Sequence, residues 1–84
     1  DLSYFGFKGS ESEKYAVRIN QFIVNEKSDY QLNIEVDKSI FIGEYYLNTV
    51  KLPNGRFLNF HTKNNKSNST VDLGFNSDML LSFS

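Results

Sequence analysis

His61 is the single imidazole of the chain. A side chain that titrates near neutrality is the natural first candidate for a general base. It has no second His, no Cys and no nucleophile motif to work with. Ser67, Ser69 and Thr70 follow it only in a polar loop. A lone strand histidine of this kind reads as structural or exposed, and no catalytic residue is assigned. Glu35 and Asp37 stand two positions apart, on one face of an extended strand. Paired carboxylates hold cations or flank a glycosidic bond, but so short a chain leaves little room for a cleft between them. They read as acids that keep a sheet face wet. There is no Asp-x-Asp-x-Asp-Gly loop and no Gly-rich phosphate loop. Neither a metal nor a cofactor is expected, and the chain is not expected to be an enzyme.

The basic residues are unevenly placed. Residues 1–44 carry eight acids and five bases, and residues 72–84 carry two acids. Between them, residues 45–71 carry Lys51, Arg56, Lys63 and Lys66 without one acid. The same stretch holds Tyr45, Tyr46, Phe57, Phe60 and His61. Bases interleaved with aromatics suit a single-stranded nucleic acid or another acidic partner. Strand alternation weakens that pattern, because Arg56, Leu58, Phe60 and Thr62 share one face while Phe57, Asn59, His61 and Lys63 share the other. A net charge of −1 also argues against bulk binding of nucleic acid. Tyr45 and Tyr46 place one ring on each side of a strand. A surface Tyr is a platform for a sugar ring or a protein partner, and equally a cross-strand packing element. The candidate binding surface is therefore Tyr45, Tyr46, Arg56, His61 and Lys63. Asn65-Lys66-Ser67 and Asn68-Ser69-Thr70 match the glycosylation acceptor pattern, as ten Asn and abundant Ser allow by chance.

Composition narrows the classes further. With no Cys, a zinc-thiolate site, an iron–sulfur cluster, a Cys nucleophile and a disulfide scaffold are all excluded. No run approaches the roughly 18 apolar residues of a membrane-spanning helix. The start, Asp1-Leu2-Ser3, lacks both the basic and the apolar parts of a signal peptide. Without an initiating Met it reads as a processed product or an excised fragment, with a lean towards an exported protein. The compartment is otherwise left open.

The elements that must carry these residues are strands. Val, Ile, Thr, Tyr and Phe make up 26 of the 84 residues, against one Ala and one Met. Tyr30, Leu32, Ile34 and Val36 alternate with Gln31, Asn33, Glu35 and Asp37, the pattern of a half-buried strand. Further strands are expected over 2–7, 14–24, 39–52 (interrupted at Gly43), 56–63, 69–75 and 79–83. Polar loops separate them, and Pro53-Asn54-Gly55 marks a tight turn. The expected fold is a single all-β domain over residues 1–84, a small antiparallel β-sandwich or barrel of about seven short strands. One segment has an alternative. Ser10 with Glu13 forms a capping-box pattern, and Tyr15, Ile19, Phe22 and Ile23 fall on one helical face. A helix over about residues 11–25 makes the fold α+β.

Ile34-Glu35-Val36-Asp37, Ile42-Gly43 and Leu52-Pro53-Asn54-Gly55 occur in an order similar to that of bacterial extracytoplasmic sandwich modules of the PEGA type. The Gly-Thr-Pro segment such modules carry after the Gly is absent, and the shared residues are generic hairpin residues over a third of the chain. The similarity implies a β-sandwich and does not assign the chain to that family. A core of this size, without disulfide or metal staples, is marginal. An apolar face covered by another chain is accordingly expected. The leading functional expectation is a non-catalytic interaction or structural module that binds a protein partner or itself. The alternative is a small ligand-binding module for carbohydrate or an acidic polymer, using Tyr45 or Tyr46 with Arg56 and Lys63. An inhibitor or immunity-type protein is a third.

Overall fold

The alternating segment folds as expected. Tyr30, Leu32 and Ile34 are half-buried on one side of a strand, and Gln31, Asn33 and Glu35 are exposed on the other. The computed structural model describes residues 2–9 and 14–83. Within them, 3-10 turns Leu2–Phe5 and Ser77–Met79 accompany eight strands. These are β1 (Lys14–Val17), β2 (Ile23–Val24), β3 (Tyr30–Glu35), β4 (Lys38–Phe41), β5 (Tyr46–Lys51), β6 (Phe57–Thr62), β7 (Thr70–Phe75) and β8 (Leu80–Phe83). The fold is all-β. The strands form three antiparallel sheets, ordered β1-β8, β2-β7-β3 and β4-β5-β6.

The core lies where the inner faces of the two three-stranded sheets meet. Register sets Tyr30 opposite Phe75, Leu32 opposite Leu73 and Ile34 opposite Val71. Val50 and Phe60 come from the β4-β5-β6 sheet, and Phe5 and Phe22 from segments outside the sheets. Phe75 is the hub of the aromatic packing. Its ring lies 5.1 Å from Tyr30, 5.4 Å from Phe5, 6.2 Å from Phe7 and 6.4 Å from Phe22. Offset and edge-on rings at these separations are favourable beyond their buried area.

One connection imposes a local demand. β2 and β3 flank β7 and are both antiparallel to it, so the link from Asn25 to Asp29 must recross the face of β7. Asn25 begins the return with φ 57°, a region Asn tolerates. Its N–H donates to the Asp72 carbonyl at 2.8 Å. The link passes over Gly74, where the Ser28 hydroxyl donates to the Tyr30 carbonyl at 2.9 Å. A Cβ at Gly74 lies 2.5 Å from the Tyr30 oxygen and also meets the Ser28 hydroxyl.

Several boundaries depart from the sequence expectations. Residues 2–7 do not form a strand. Leu2–Phe5 is a 3-10 turn closed by the Gly6 N–H to the Ser3 carbonyl at 3.0 Å, with Gly6 at φ 85°. That turn drops Phe5 into the core. Over its described part, residues 14–25, the alternative helix is not formed: Lys14–Val17 pairs with β8, and a bend over 18–22 separates it from β2. Core burial of Phe22 and pairing of both flanks outweigh the helical spacing. The Ser10–Glu13 capping pair lies outside the described residues. The 39–52 segment is a hairpin, because Gly43 at φ 110° turns the chain and Ile42 N–H donates to the Tyr45 carbonyl at 2.9 Å. β3 ends at Glu35, and the chain changes sheets there. Val36 N–H still bonds the Ser69 carbonyl, whereas Asp37 N–H bonds Thr49.

Candidate functional site

β6 positions His61. Its odd-numbered residues Phe57, Asn59 and His61 face outward, and Phe60 packs in the core. The imidazole lies against the Tyr45 ring with centres 3.9 Å apart and planes tilted by 32°, and the His61 backbone N–H donates to the Ile19 carbonyl at 3.2 Å. The backbone of β6 is thus held on its outer side by the bend before β2. Between β2 and the end of β6 lies an open groove of about 640 Å³, lined among others by Asn25, Glu26, His61, Lys63 and Lys66.

The five candidate surface residues divide. His61 and Lys63 line the groove, and Tyr45 backs the imidazole. Tyr46 does not join them. It sits opposite Thr62 with its ring 5.3 Å from Phe41. Arg56 is also elsewhere, in the turn between β5 and β6. Seven residues of extended chain put it about 20 Å from Lys63. Tyr45, Tyr46, Arg56, His61 and Lys63 therefore do not form one surface, because Tyr45 and Tyr46 take opposite sides and a whole strand separates the two cations. Glu35 and Asp37 are exposed and serve different sheets.

Reasoning along the sequence missed the β2 wall of the groove and the contribution of Lys66. Ile23, Val24 and Glu26 carry no local signal that they will face the end of β6. It also missed Asn48, which is fully buried on the inner side of β5. Its Nδ2 donates to the Thr62 hydroxyl at 2.8 Å and the Phe60 carbonyl at 3.2 Å. Thr62 in turn donates to the Asn64 carbonyl at 2.6 Å, which shapes the loop at the groove. The Asn48 Oδ1 is buried with no hydrogen-bond partner among the described residues.

A second surface stands at the opposite edge of the same sheet. Among the described residues β4 has a neighbour on one side only, β5. There Ile40, Phe41 and Ile42 are consecutive and 56%, 59% and 48% exposed. Among the described residues no group of three His, Cys, Asp or Glu could hold a metal ion. No described helix is long and apolar enough to cross a membrane. No protein-family model, curated protein or solved structure matches the chain, so its similarity to PEGA-type modules is not supported by a family match.

Proposed function

We propose that this chain is a non-catalytic interaction module that binds another protein chain by strand addition at β4. The observation that carries this reading is the run Ile40-Phe41-Ile42, about half exposed at each position, at the end of a strand paired along one edge and in the residue that follows it. An open edge offers backbone donors and acceptors in a row, and alternate side chains add specificity. Three consecutive large apolar residues in water are costly to leave uncovered and favourable to bury. Lys38 is a modest guard at one end of the strand.

The test is selection of a random-peptide display library on the immobilised domain. Recovered peptides should be extended and apolar. Their affinity should fall at least tenfold, about 1.4 kcal/mol, on Ile40→Lys, with an unchanged circular dichroism spectrum because Ile40 is exposed. Recovery of no saturable peptide, or of peptides indifferent to Ile40→Lys, overturns the reading.

The groove favours a second reading, a small site for an acidic ligand. Lys63, Lys66 and His61 converge on it, although Glu26 lines it too. Of the residues first considered for a ligand, Tyr45 is near this groove and Arg56 is not.

A further inference from the structure

Resting on the strand-addition reading, we propose that the partner is a second copy of this chain. In this dimer β4 pairs antiparallel with its two-fold mate, and Phe41 stands opposite Phe41 of the other copy. The backbone decides which residues can pair. Ile42 N–H bonds inward to Tyr45. In an antiparallel ladder alternate residues turn their backbone groups to the same side, so Lys38, Ile40 and Ile42 face β5 while Ser39 and Phe41 face the open edge. Any added strand must bond to Ser39 and Phe41.

The end of β4 nearer Ser39 is partly covered. Lys66 N–H donates to the Ser39 hydroxyl at 3.2 Å, and Asn68 N–H donates to the Val36 carbonyl at 3.2 Å. The open stretch is therefore centred on Phe41. Charge then separates the neighbouring registers. With the two-fold axis at Phe41, Lys38 of each copy lies opposite the hairpin tip that carries Glu44 of the other, giving two complementary pairs of exposed side chains. With the axis at Ile40, Lys38 faces Ile42. With the axis at Ile42, Glu44 faces Ile40. Both shifts oppose a charge to an apolar side chain, so electrostatics specify the register. In the favoured register Ile40 meets Ile42 twice on the outer face. The two Phe41 rings meet on the other face, beside the Tyr46 ring each already touches. The result is one continuous six-stranded sheet with a closed two-fold interface.

The absence of Cys makes the experiment clean. Single variants Phe41→Cys, Ile40→Cys and Ile42→Cys are oxidised at low concentration beside Phe57→Cys, an exposed control on β6. Opposed residues in an antiparallel pair have Cα atoms about 4.5–5.5 Å apart, within disulfide reach. Docked thiols have an effective concentration in the millimolar range, so Phe41→Cys should dimerise on the order of tenfold faster than the control. A mixture of Ile40→Cys and Ile42→Cys should cross-link faster than either variant alone. A Phe41→Cys rate equal to the control overturns the self-pairing. An Ile40→Cys homodimer forming faster than the Phe41→Cys homodimer overturns the register. If self-pairing fails while selected peptides still bind and still respond to Ile40→Lys, the partner is a different chain and the strand-addition reading stands. If both experiments fail, both readings are removed.

Discussion

Replacing Gly74 by Ala sets two effects of opposite sign against each other. In an ordinary strand the change is favourable by roughly 0.5–1 kcal/mol, because Gly gives up more backbone freedom on folding. At Gly74 the new Cβ lies 2.5 Å from the Tyr30 carbonyl oxygen, 0.9 Å short of ordinary contact at 3.4 Å. It also meets the Ser28 hydroxyl. The carbonyl belongs to paired backbone and cannot rotate away, so β3 or the crossing link must shift. Overpacking of that kind costs about 1–3 kcal/mol. The two ranges differ by about 0–2.5 kcal/mol, and two contacts under 3.0 Å, one of them to backbone, place the net loss in the upper part, at about 1–2 kcal/mol. For a domain of this size that is a fall in Tm of about 5–15 °C. Urea unfolding followed by circular dichroism and Tyr fluorescence measures it, since the chain has no Trp. The Gly74→Ala, Ser28→Gly double variant should recover part of the loss, with a coupling of about 0.5 kcal/mol or more. The Tyr30 contact remains in that variant. If Gly74→Ala is as stable as the parent, or Ser28→Gly recovers nothing, the steric account of the crossing link is wrong.

Asn48→Val removes the two amide protons, worth about 0.5–1.5 kcal/mol each, together with a buried unpartnered acceptor that costs about 1–3 kcal/mol. Thr62 keeps its bond to Asn64, and Phe60 stays opposite residue 48 in the ladder. Denaturant titration should place the variant within about 1 kcal/mol of the parent or above it, helped by added apolar burial. A loss above about 2 kcal/mol would show that Oδ1 is satisfied after all. The acidic-ligand reading makes its own prediction. Chemical shifts recorded against a sulfated oligosaccharide should move at His61 and Lys63 and collapse with salt. Lys63→Ala with Lys66→Ala should abolish those movements and Arg56→Ala should leave them, whereas equal sensitivity to all three changes would refute a localised groove.

Period-two alternation was enough to identify the all-β class and the inward set Tyr30, Leu32 and Ile34, because in a strand neighbouring side chains must take opposite sides. The split of Arg56 from Lys63 was legible for the same reason, and the tight turn before Arg56 was legible from Pro53-Asn54-Gly55. Three features were not. Gly43 reads as a blemish in one long strand until its positive φ and the Ile42–Tyr45 bond show a hairpin. The span 14–24 satisfies helical and strand spacings alike, and only pairing with β8 and β7 decides between them. The groove joins residues 22–26 to 61–66, a separation over which local spacing carries no information.

Residue order alone determined that oily groups would gather on one side of extended ribbons and that no thiol or imidazole cluster could do chemistry. That the apolar run Ile40-Phe41-Ile42 would stand exposed at a sheet edge was decided only when the chain switched sheets after Glu35. Backbone hydrogen bonds are specified by partners distant in sequence, and a side-chain pattern does not say which edge will be left without one.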